Sequence, residues 1–404
     1  MPPNGARRVP FGGFVCGRKS ATDLTLHRFY AILTDELVSI QEDENMSEQI
    51  FLPNGYEHIT ALIEAAVADK TRTVTVSGDW EIREAIRLPS NFTLILNNCH
   101  LRMANGCYSN MFVNANHDTD LGRTPAGTDR NIAILGRGKA ILDGGTYNGL
   151  SEKTQRQNGL PPIWKNNLLL FTNVDGFRVS GISCRNQRWW ALNFVYCANG
   201  YIGDIDFCAN DTAIDSDGNV YHGLRRDNYA DVLVKNADGV DLRQGCHDIV
   251  IENITGFTED DSVALTALNG RLEQHFAVEG LPSDICRVTI QNIRTAAFCS
   301  NVRLLNQGDI KLHDIVIDGV YDESAGSPHM DRGIYAVRVG DTHLYGTRHS
   351  TKEETYNIQI RNVVGGGRYA VALAGEIDRL VMYGIEAING AKMLRDERGI
   401  EALP

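Results

Sequence analysis

No stretch of this 404-residue chain holds the ~18 consecutive apolar residues that a membrane-spanning helix needs, so none is expected. The cysteines are equally unpatterned. Nine of them are scattered without a Cys-x-x-Cys pair, which argues against a zinc ribbon and against a disulfide framework. The N-terminal MPPNGARRVPFGGFVCGRKS is basic but lacks the apolar core of a secretory signal. Reduced, mostly buried thiols and a cytoplasmic location are the expectation. Positive charge is also in deficit: 39 Lys and Arg stand against 51 Asp and Glu, a formal net charge of −12. That balance disfavours nucleic acid and anionic membrane as partners. GRGKAI (136–141) lacks the spacing of a phosphate loop, and no zinc ligand set or Ser/His/Asp signature stands out. Neither a cofactor nor a metal is expected, and the oligomeric state is not readable.

What the chain does contain is a loose repeat. Short alternations of β-branched and polar residues recur: NFTLIL near 91, NIAILG near 131, GFRVSGI near 176, YIGDIDF near 201 and DVLVKN near 231. They continue as DIVIENI, RVTIQNI, DIKLHDIVIDGV, YNIQIRNV and RLVMYGI, between 248 and 385. Each reads as a strand of about five residues with one apolar face. Asn and Asp-Gly recur at the ends and read as turns. With no helical pattern between them, these segments do not form βαβ units. They suit a single-stranded, right-handed parallel β-helix, an all-β solenoid in which each coil stacks on the last. One helix is predicted over 57–69, with Ile59, Leu62, Ile63 and Ala66 on one face, capping the first coil. Residues 1–48 differ in composition and read as a leader, with the β-helix domain over 49–404.

Two acidic turns, NADGVD (236–241) and EDDSVA (259–264), flank one of these strands. In a stacked solenoid, residues one coil apart are vertical neighbours at about 4.8 Å. Asp238, Asp260 and Asp261 should therefore meet on one outer face, and their mutual repulsion should raise at least one pKa. Three explanations stay open on spacing alone: general acid/base catalysis, a calcium site, or solvated turns.

These turns resemble the Asn-Thr-Asp-Gly-x-Asp and Gly-Asp-Asp-x-x-Ala motifs of the polygalacturonase-like glycoside hydrolases, family 28-type members of the pectin-degrading parallel β-helix superfamily. NQRWWALNFVYCANGYIGDIDF (186–207), NIAILGRGKAILDGG (131–145) and the region from about 57 to 103 are similar to further segments of that family. The resemblance implies an inverting hydrolase of pectin-like or related oligosaccharides or polysaccharides. Asp260 would be the general acid, and Asp238 and Asp261 would hold and deprotonate the attacking water. The family's Gly-His-Gly turn has no counterpart here, and of its Arg-x-Lys strand only Arg303 is kept, with Leu305 in place of Lys. Uronate and neutral sugars both remain open. Arg243, His275, Arg303 and Trp190 are the candidate substrate-binding residues, with an outward Trp190 stacking on a sugar ring. NDTAID (210–215) is a rival to the first motif. Tyr221, His222, Arg225 and Arg226, in the connection between 208 and 236, are expected to wall the cleft. The alternatives are a polysaccharide lyase or epimerase on the same scaffold, with Arg243 or Arg303 as base, and a non-catalytic carbohydrate-binding β-helix.

Overall fold

A computed structural model describes residues 52–398 except 105, 146–161, 163, 188, 210–211, 215–219, 223–224, 226–236, 308 and 342–347. The expected leader, the segment DVLVKN and Arg226 lie outside the described residues.

The chain forms a parallel β-helix. All ladders of its 18-stranded sheet are parallel. Thr212–Ile214 and Val220–His222 form a separate antiparallel pair, which takes in much of the rival NDTAID motif and of the expected wall. Two stacks run along the axis. One contains His247–Thr258, Ile285–Ala297, Leu312–Asp322, Thr355–Gly365 and Asp378–Ala387. The other contains Asp238–Arg243, Val263–Ala267, Ser300–Asn306, Tyr335–Val339, Tyr369–Ala374 and Lys392–Glu397.

The strands of the first stack are longer than the five residues expected, and the reason is a corner. Their inward residues follow steps of two and then three: Ile249, Ile251 and Ile254; Val288, Ile290 and Ile293; Ile315, Ile317 and Val320; Ile358, Ile360 and Val363. All are essentially fully buried. At the three-residue step the backbone passes through the left-handed region, at Asn253 (φ 56°), Asn292 (φ 52°), Gly319 (φ 79°) and Asn362 (φ 55°). Asn and Gly tolerate that region where other residues pay for it. The Asn residues read from sequence as strand ends are thus bends within a strand. Their amides also link the coils: Asn292 Nδ2 donates to Asn253 Oδ1 at 2.7 Å, and Asn253 Nδ2 donates to Asp204 Oδ1 at 2.9 Å.

The N-terminal end is closed by the helix Gly55–Ala68. Asn54 caps it, its side chain accepting the N–H groups of Tyr56 (3.1 Å) and Glu57 (3.4 Å). Ile59, Ile63 and Ala66 are buried and join the main core, with Leu62 packed beside them. Among the described residues no helix is long and apolar enough to cross a membrane. Each described cysteine is a free thiol.

Candidate active site

The strand Asp238–Arg243 lies between the strands Trp190–Cys208 and Val263–Ala267, pairing Val240 with both Leu192 and Val263. Period two sends Val240 and Leu242 into the core. It leaves Asp241 and Arg243 on the outer side, in register with Ala264 and Thr266.

The coil boundary joins the two acidic turns directly. Asp238 Oδ1 accepts the backbone N–H of Asp261 at 3.0 Å, across 23 residues of sequence. Gly239 N–H donates to the Asp261 carbonyl, also at 3.0 Å. A Cβ at position 239 would stand 2.3 Å from the Ser262 carbonyl oxygen, so this close approach requires glycine. Asp238 N–H is bound by the carbonyl of Trp189, whose φ of 51° is uncommon for a bulky residue.

Asp238, Asp241 and Asp261 are buried, while Asp260 is partly exposed. Their charges bear on one another. Burial first, then Asp241, Asp260 and Asp261, hold the Asp238 carboxyl well above the usual range. Asp241 is pushed up to about 8 by burial, with Asp261, Asp260 and Glu273 adding to the rise and Arg243 opposing it. Asp261 is also raised by burial, against the pull of Arg303 and Arg338. Four close carboxyls cannot all ionise cheaply, so the group holds protons as a unit. Asp241 Oδ2, Asp261 Oδ1, Asn301 Oδ1 and Arg338 Nε are buried without a hydrogen-bond partner among the described residues. Unsatisfied buried polar atoms of this kind are uncommon in a folded core.

The proposed binding residues fare differently. Arg303 follows Ala264 in the outward register column, and Arg338 follows Arg303. Both arginines pair with the buried Asp341, Arg338 at 2.8 Å. Arg243 is 4% exposed, and its guanidinium is held by Asp241 (3.3 Å), Glu273 (2.8 Å) and Asn193 (3.0 Å). Trp190 is partly buried with that guanidinium over its ring, 4.0 Å from the centroid, while Trp189 is buried. The ring of His275 belongs to another group: it stacks on Trp164 (3.9 Å), meets Asp118 at 2.7 Å and meets Arg123 at 3.2 Å. Of the expected wall, Arg225 contacts Asp331 at 3.3 Å.

Asp241, Asn193, Glu273, Arg338 and Asp341 escaped the sequence reading. Asp241 was visible as the second acid of its turn, and Arg338 as the charged residue between Val337 and Val339. Glu273 and Asp341 carried no periodic signal.

No family model and no curated sequence matches the chain. Solved structures do. A hyperthermoactive exopolygalacturonase from Thermotoga maritima is 13% identical, with 83% of this chain and 87% of that one covered and a TM-score of 0.45. The endo-xylogalacturonan hydrolase of Aspergillus tubingensis is 12% identical, covering 83% and 91%, with a TM-score of 0.46. The Streptococcus pneumoniae surface protein and adhesin PfbA is 12% identical, covering 88% and 98%, with a TM-score of 0.44. The likeness is one of fold. Function is argued from the site itself.

Proposed function

We propose that the protein is an inverting glycoside hydrolase acting on oligosaccharides or polysaccharides of the pectin-like class, through Asp238, Asp260 and Asp261. The observation that carries this reading is the contact between Asp238 Oδ1 and the Asp261 N–H, which puts the two acidic turns side by side on one outer face. Asp260 is the most exposed of the four carboxyls and is the general acid, delivering its proton to the glycosidic oxygen. Asp261, opposite the Arg303 and Arg338 charges, is the member best placed to stay ionised. Asp238 helps to orient the water and Asp261 takes its proton, the division of labour that inversion requires.

The lyase alternative asks Arg243 or Arg303 to give up a proton and act as a base. Their ion pairs, Arg243 with Glu273 and Arg303 with Asp341, speak against it. A cytoplasmic site of action, on imported oligosaccharides, belongs to the same proposal.

The test is reducing-end release from a panel of uronate and neutral oligosaccharides, by wild type and by Asp260→Asn. Loss of general-acid assistance is expected to lower kcat by about 10²–10⁴-fold. Turnover that Asp260→Asn leaves intact refutes the assignment.

A further inference from the structure

The segment LNGRLEQHFAVEGLP plays no part in the chemistry above, yet it delivers a buried charge to the site. Its short helix Arg271–His275 is fastened by Leu272, which packs with Phe276 and Val278 against Leu170, Val195 and Tyr196. That leaves Glu273 2% exposed. Glu273 Oε2 accepts the Gly270 N–H at 3.1 Å, and Oε1 accepts from Arg243 Nη1 at 2.8 Å. Arg243 Nη2 reaches Asp241 Oδ1 only at 3.3 Å. One cation thus stands between two buried carboxyls, with the shorter contact to Glu273. Glu273 is also the larger anionic influence on Arg243, ahead of Asp241.

We propose that Glu273 is a positioning residue: by engaging Arg243 it draws the guanidinium away from Asp241, and so keeps Asp241 a neutral, proton-bearing carboxyl beside Asp238, Asp260 and Asp261. The role given to those three aspartates rests on the hydrolase reading.

The surroundings of Asp241 agree. Its own strand offers Asp238 and Arg243, and the preceding coil offers Asn193, its register partner. The turn of the following coil brings Asp260 and Asp261, and the helix brings Glu273. One coil further on, Arg303 is paired with Asp341, which Arg338 shares. Each cation on this side of the cluster is therefore engaged by a carboxylate outside it. A neutral carboxyl can donate a hydrogen bond, which an ionised one cannot. Asp241 Oδ2 is buried with no partner among the described residues, so it is the oxygen left to carry the proton.

The experiment is carboxyl ¹³C NMR titration of the whole chain, with the Asp241 signal assigned by its loss in Asp241→Asn. In wild type the signal is expected to titrate above pH 7; titration below pH 5 overturns the proposal, and this measurement needs no variant of Glu273 to fold. In Glu273→Gln, Arg243 is freed to pair with Asp241, and the titration should fall by at least one pH unit; an unmoved titration also overturns it. In kinetics, moving the negative charge from Glu273 onto Asp241, which acts directly on the acidic cluster, should move the bell of kcat/KM against pH to higher pH in Glu273→Gln. A lower amplitude with an unmoved profile would mean that Glu273 only supports the fold. If wild type hydrolyses no sugar, the hydrolase reading fails, while the titration still decides the link between Glu273 and Asp241.

Discussion

Asp241 couples the chemistry of the site to the stability of the fold. Its carboxyl is pushed up to about 8 in the folded chain, against about 3.9 when unfolded. A group raised in this way contributes stability that is fully present below about pH 4 and is lost as pH climbs through about 8. Asp238, raised by burial and by the same neighbours, acts in the same direction. Replacing Asp241 by Asn removes one ionisation while keeping a polar side chain of the same size. Between pH 5 and pH 8, unfolding free energies from urea titration should shift in favour of Asp241→Asn relative to wild type, by on the order of 3 kcal/mol. An equal pH slope in both proteins would mean that Asp241 is already ionised at pH 5. The sequence reveals some of this site and hides the rest, for a physical reason. Asp238 and the Asp260–Asp261 pair could be matched because stacking turns a one-coil separation into contact. Glu273 could not, because it lies in LNGRLEQHFAVEGLP, a segment with no strand periodicity, 30 residues from its partner Arg243. Arg243 itself was legible as a cation near the acids. Its engagement by Glu273 and Asn193 was not.

The same contrast holds for the elements. Alternating Ile and Val announced strands, and Asn or Asp-Gly announced breaks in the alternation. Whether a break is an end or a bend depends on what stacks above and below, which local sequence does not say. At Asn292 the answer is a bend: the residue has a φ of 52°, and its amide donates to Asn253 Oδ1 at 2.7 Å. Two costs can be separated there. Asn292→Gly keeps the left-handed conformation and loses the hydrogen bond, worth about 0.5–1.5 kcal/mol. Asn292→Ala loses the bond and also meets the left-handed penalty of about 1–2 kcal/mol. The Ala variant should therefore unfold at lower urea than the Gly variant, and both below wild type. The reverse order would show that backbone freedom in the unfolded chain outweighs strain at this corner.

Across the whole molecule the two ends of the stack differ. The N-terminal coil has a helix over it, with Ile59 and Ile63 set into the core. At the other end, the strands Asp378–Ala387 and Lys392–Glu397 each pair on one side only among the described residues. Leu380, Met382 and Ile385 are only partly buried there, and Leu394 is 41% exposed. In a solenoid each coil contacts its neighbours alone, so a coil with one neighbour draws about half the interface energy of an interior coil. Ile317 and Leu380 both face inward in neighbouring columns, one inside the stack and one at its end. Ile317→Ala should cost about 2–5 kcal/mol, because close packing on both sides leaves a cavity that cannot collapse. Leu380→Ala gives up less buried area and leaves a space open to water, so roughly 1 kcal/mol is expected. Amide exchange adds a second readout. The backbone N–H groups of 378–387 should open well before those of 312–322, and Leu380→Ala should accelerate the former without touching the latter. Equal losses at the two positions, or equal protection of the two strands, would mean that the last coil is covered by something beyond the described residues.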